Sequence, residues 1–126
     1  MGLITRLFDV ENDVTVFTVV GDVDAEQVLS HIIAFLTGAP TPLVLWDITG
    51  DSLAGLSSKD LRMIVERAAP FADRRQGGRT TIVCSQDLDY DFSRMFQTFA
   101  ELHRVPIAMQ VFRHRDAARA WLHEAR

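Results

Sequence analysis

Apolar residues along this chain alternate or run continuously over short stretches, then recur every three to four positions over longer ones. Residues 3 to 10 read as a first strand, and Glu11-Asn12-Asp13 as a turn. Val14, Val16, Thr18 and Val20 alternate with Thr15, Phe17 and Val19 in a mostly β-branched run, which is a strand signal. Two strands joined by so short a turn predict an antiparallel hairpin. Gly21 ends the second strand, and Asp22 or Asp24 can cap a helix. Ala25, Leu29, Ile32, Ile33 and Leu36 then follow at helical spacing until Gly38 and Pro40 stop them. Residues 42 to 48 are apolar on both faces, as a central parallel strand should be.

The alternation continues to the end. Ser57 with Asp60 fits a capping box, and Leu61, Ile64, Val65 and Ala68 form the apolar face of a second helix. Pro70 either kinks that helix or starts a further turn. Gly77-Gly78 precedes a strand over 80–84. Ser85 or Asp87 starts a third helix with Leu88, Phe92, Met95, Phe96, Phe99 and Leu102 on its apolar face. Pro106 precedes a fifth strand, 107–112, and a last helix from about Asp116 packs Ala117, Ala118, Trp121 and Leu122. The order β-β-α-β-α-β-α-β-α predicts one α/β domain over residues 1–126. Right-handed crossovers make its five-stranded sheet mostly parallel, with an antiparallel N-terminal edge strand and four helices. An open edge strand is a surface on which two copies can pair as a homodimer; Arg6 and Asp9 on it are equally suited to prevent that.

Composition narrows the class. With 48% hydrophobic residues the chain has material for a core without staples, and its single cysteine, Cys84, excludes an intramolecular disulfide framework. A reducing cytoplasm fits. No signal peptide is expected, and no apolar run approaches the roughly 18 residues of a membrane span. A net charge of −4 argues against nucleic acid as a partner. The charge is uneven: residues 1–58 carry one basic residue against eight acids, and the remainder twelve against nine. Solvated helix faces account for this most simply; a polar molecule with an acidic and a basic side is the sharper reading.

Most chemical motifs fail on spacing. His31, His103, His114 and His123 lack a second His or Cys at metal-ligand distance, so no metal is expected. Asp87-Leu88-Asp89-Tyr90-Asp91 opens like a calcium loop, but Phe92 replaces the required Gly and Thr98 the bidentate Glu. These acids instead suit the N-terminus of the third helix. Gly77-Gly78 with Arg74, Arg75 and Arg79 lacks phosphate-loop spacing and reads as a surface turn. Cys84 reads as a small core residue. Asp47, Thr49, Ser52, Ser57 and Ser58 remain, a carboxylate and hydroxyls around a strand end and a helix N-terminus, where α/β sheets keep their sites. Turn and cap chemistry is the simpler account of them, and a polar site over the strand end the sharper one.

In element order, and in the third strand with its loop, the chain resembles the STAS domain of sulfate transporters and anti-sigma factor antagonists. More closely, residues 3 to 123 look like the small bacterial SpoIIAA-like proteins. There a loop like Tyr90-Asp91-Phe92-Ser93-Arg94-Met95-Phe96 opens the third helix. A tail like Val111-Phe112-Arg113 followed by Ala117-x-x-x-Trp121-Leu122 closes the domain. In the antagonists a strand-ending Asp-x-Ser/Thr-Gly precedes a phosphorylated serine. Asp47-Ile48-Thr49-Gly50 matches the first part, and the serine falls on Ser57, though Gly55 and Ser58 depart from the flanking pattern. The resemblance implies a cytoplasmic, non-enzymatic regulatory or binding module without a cofactor. Its partner would be a protein, or alternatively a small apolar ligand, a lipid or a membrane surface. The residues it points to are Asp47, Thr49, Ser57 and Ser58, with Tyr90 and Arg94 from the neighbouring loop, and Ser57 as the phosphorylation site. The alternative draws on Phe92, Phe96 and Phe99 beside Met95 and Trp121, a stripe that helical spacing more often places in plain core.

Overall fold

A computed structural model describes residues 2–48, 50 and 52–124. Strands β1 (Leu3–Asp9) and β2 (Val14–Val20) form the antiparallel hairpin, and β3 (Leu43–Ile48), β4 (Arg79–Cys84) and β5 (Ala108–Phe112) continue the sheet in parallel. Spatial order equals chain order, β1-β2-β3-β4-β5. Every crossover therefore steps the same way. Right-handed connections then put α1 (Ala25–Thr37), α2 (Ser58–Ala68) and α3 (Asp87–Leu102) side by side on one face. Helix α4 (Arg115–His123) follows the last strand and packs on the other face, against β3, β4 and β5.

The strand period of two divides the apolar residues between the faces. Phe17, Val19, Val44, Ile48 and Ile82 point under the three helices. Phe17 stacks on Trp46 with ring centroids 4.2 Å apart and meets Phe35 of α1 edge-on at 5.4 Å. Val14, Val16, Leu43, Leu45 and Val83 point the other way, onto Ala118 and Leu122 of α4. That single helix touches β1 at one end, where Arg119 Nη1 lies 3.7 Å from Asp9 Oδ2, and leaves the rest of the strand uncovered. Leu3, Leu7 and Val20 accordingly remain more than half exposed.

Local signals explain the ends. Asp24 caps α1 and Ser57 caps α2, each through a full capping box. Pro70 does not kink α2; it sits in the first turn of a 3₁₀ helix, Ala69–Arg75, that continues from it. Packing corrects two expectations and sharpens a third. Leu88 and Leu102 of α3 are exposed, and the helix instead buries Asp89, Ser93 and Ala100 most deeply. Asp89 lies in the first turn of α3 as expected, and it is fully enclosed there, its Oδ1 accepting the Leu53 backbone N–H at 3.1 Å. The arginines of the supposed surface turn are structural. Arg74 donates to the Leu36 and Gly38 carbonyls at the end of α1, and Arg79 to the Trp121 carbonyl. Arg75 is only 7% exposed.

Candidate functional site

Asp47 lies one residue before the end of β3, on the α4 face, where its Oδ2 meets Arg115 Nη1 at 3.5 Å. The Ser57 hydroxyl accepts the Asp60 N–H at 3.1 Å, while Asp60 accepts the Ser57 N–H at 2.9 Å. Ser58 is the exposed first residue of α2. Since α2 and Asp47 belong to opposite faces, the carboxylate and the two serines are held in separate local structures. Thr49 lies outside the described residues. Tyr90 and Arg94 do come together, with Arg94 Nη1 3.5 Å from the phenol oxygen. The Arg113 guanidinium stacks 4.4 Å over the Tyr90 ring and pairs with Asp87 at 2.8 Å. This rim is ion-paired and exposed, where such pairs contribute little energy.

A second polar group sits deeper. Cys84 and Ser93 are buried with Sγ and Oγ 3.3 Å apart. Burial pushes the thiol up to about 11; the Ser93 hydrogen bond opposes that shift and the nearby Asp89 carboxylate adds to it. A thiol so placed stays protonated at neutral pH and makes a poor nucleophile. Among the described residues no group of His, Cys, Asp and Glu is arranged to hold a metal ion.

The space between the sheet and the three helices is incompletely filled. One apolar cavity of about 80 Å³ lies among Phe35, Val44, Ala72, Ala100 and Ile107. A second, of about 70 Å³, lies among Val23, Ile48, Leu56, Ile64 and Phe92. Ile32, Trp46, Thr80 and Phe96 line both, so the two adjoin as near and far lobes under the helix layer, with these four side chains between them. Apolar cavities of roughly 150 Å³ stay dry and admit a benzene-sized guest. Each lobe is about half that size.

Arg75 closes one end. Its Nε donates to the Thr41 carbonyl, Nη1 to Thr80 Oγ1, and Nη2 to the Pro42 and Arg79 carbonyls, all at 2.8–3.0 Å. Gly78 makes this clamp possible: a Cβ there would stand 2.5 Å from the Pro42 oxygen and 2.9 Å from that of Arg75. Desolvation pushes the guanidinium down to about 10, so it remains charged at neutral pH. Neither Arg75 nor Trp46 belongs to the residues expected at the site. The one sequence signal is spacing. Ala69, Ala72 and Arg75 recur every three residues, which stacks them on one face of a 3₁₀ helix.

No protein-family model, curated protein or solved structure matches this chain. Among the described residues, no helix is long and apolar enough to cross a membrane.

Proposed function

We propose that this chain is a STAS-like binding module, bacterial and cytoplasmic, that acts by holding a small apolar ligand between its sheet and its three-helix layer rather than by catalysis. The carrying observation is the two-lobed cavity walled by Trp46, Ile32 and Phe96. A core of this size is normally filled to crystal-like density, and unfilled apolar space forfeits dispersion contacts that a guest restores. The aromatic residues of α3 support the reading, since Phe92 and Phe96 line the space. The test uses the variant Trp121→Phe, which leaves Trp46 as the sole tryptophan. Titration with octanol should change Trp46 emission saturably and raise the melting temperature. An emission spectrum and a melting temperature that both ignore octanol would end this reading.

A protein-binding role on the outer surface is the second reading. It is favoured by the exposed Ser57 at the start of α2, where added negative charge meets the helix dipole favourably. Asp60 opposes it, because its carboxylate already occupies the adjoining cap position. Loss of a captured partner on Ser57→Asp, with the fold unchanged, would support this role; binding that survives the substitution would remove the switch.

A further inference from the structure

We infer that the Arg75 end of the cavity receives an anionic head group, so that the ligand is a small straight-chain carboxylate and not a neutral hydrocarbon. This rests on the reading of the cavity as a ligand site and deepens it.

Shape comes first. Val44 lines only the Arg75 lobe, Trp46 lines both, and Ile48 lines only the far lobe. These residues are alternate positions on β3, so the space runs along the strand for roughly 13 Å at about 3.3 Å per residue. An elongated apolar space takes an extended chain better than a compact ring system. The far lobe ends in Ile48, Leu53 and Leu56, which offer nothing to a charge. The near lobe ends at Arg75, with small side chains, Ala69, Ala72 and Ala100, beside it. Val105 and Ile107 at this end are half-buried, as are Val28 and Phe92 of the far lobe, so the space approaches the surface at both ends. Arg75, which lines only the near lobe, is what distinguishes head from tail.

Charge comes second. A guanidinium has five N–H donors. Arg75 uses four, and every acceptor is a neutral carbonyl or hydroxyl. Among the described residues no carboxylate pairs with it. Buried charges are ordinarily paired, because desolvating an unpaired ion costs several kcal/mol. The uncommitted donor is on Nη1, the nitrogen bonded to Thr80, and Thr80 lines both lobes. The Phe35 ring, 5.7 Å from the guanidinium carbon, offsets part of the charge, but a purely structural clamp needs only the four bonds and not a fifth donor beside the cavity. A carboxylate placed there gains a charge-assisted hydrogen bond and neutralises the guanidinium, while its chain lies along Trp46.

Octanoate and octanol differ at the head and share the tail. Both are titrated at neutral pH into the Trp121→Phe protein, with Trp46 emission as the readout. Octanoate should bind at least tenfold more tightly than octanol. Lowering the pH until the ligand carboxyl is protonated should erase that advantage, and Arg75→Met, if it folds, should erase it at neutral pH. Equal affinities, or tighter binding of octanol, would overturn the head-group assignment and leave the apolar cavity reading intact. Binding of neither would overturn both.

Discussion

The two faces of the sheet are packed to different standards. Under α4, one helix of nine residues covers three strands, and Leu45, Val14 and Leu122 are sealed with no measurable exposure. Under α1, α2 and α3, three longer helices cover the same sheet and leave a cavity of two lobes. More covering material has produced less complete filling. A single helix can slide and rotate until its side chains interdigitate with the strands. Three helices constrained by one another and by short crossovers settle on a shared compromise, and the space lies where they meet the sheet. The contrast separates a face that contributes stability from a face free to hold something.

Truncation should break or confirm this contrast most sharply. Leu45→Ala, on the α4 face, should cost about 3–4 kcal/mol in urea unfolding, because a sealed site cannot collapse around the loss. Ile32→Ala, in the wall of both lobes, should cost about 1–2 kcal/mol, because its side chain already lacks neighbours on one side. Equal losses would mean that the faces are packed alike.

Cys84, on the cavity face, offers a pH-dependent test. Its folded pKa, about 11, lies above the ordinary thiol value near 9.0, so the unfolded chain loses its proton first. The thiol's contribution is therefore fully present below about pH 9 and disappears as pH rises towards 11, an effect of about 3 kcal/mol. Cys84→Ala should flatten that slope, and an alkylating reagent at pH 7.5 should modify the unfolded protein and spare the native one. Rapid native labelling would contradict the burial of the thiol.

Smaller effects sharpen the picture. Thr81 Oγ1 is buried on the α4 side with no hydrogen-bond partner among the described residues. Thr81→Val keeps the shape, removes the unpaired hydroxyl and should stabilise by about 1 kcal/mol. Ser57→Ala should lose about 1 kcal/mol with the cap, and Ser57→Asp should largely retain it. Asp47→Asn should change stability by no more than about 0.5 kcal/mol, since Arg115 is half exposed. A larger effect would give Asp47 a role that its ion pair does not explain.

Backbone architecture was legible because it depends on periodicity and punctuation. The β-branched alternation of β2, the all-apolar β3 and the Ser57–Asp60 box each say locally what the fold does globally, and the element order followed. Side-chain destinations within α3 were less legible. Its Phe and Met stripe predicts the packed face correctly, but the deepest positions are Asp89, Ser93 and Ala100, because only small or hydrogen-bonded groups fit against the Leu53 turn and Cys84. Arg75 was illegible for a different reason. Charge and neighbouring glycines make it look solvated, and only the carbonyls of residues 41, 42 and 79, brought together by the sheet, make its burial tolerable. The rim of Tyr90 and Arg94, and Asp47 apart from it on the α4 face, were visible as chemistry, whereas the cavity is a property of three helices at once and has no local signature.

Strand order equal to chain order has a consequence for biosynthesis. As the chain leaves the ribosome, at roughly 5–20 residues per second, each βα unit can dock directly on the one before it, so the three-helix face assembles stepwise. The opposite face cannot close in this way. Val14, Val16, Leu43, Leu45 and Val83 wait uncovered until Ala118 and Leu122 emerge, after every strand of the sheet. A chain stopped before Arg115 would carry a nearly complete sheet with one oily side, and should aggregate or be retained by chaperones in proportion to how long synthesis pauses there.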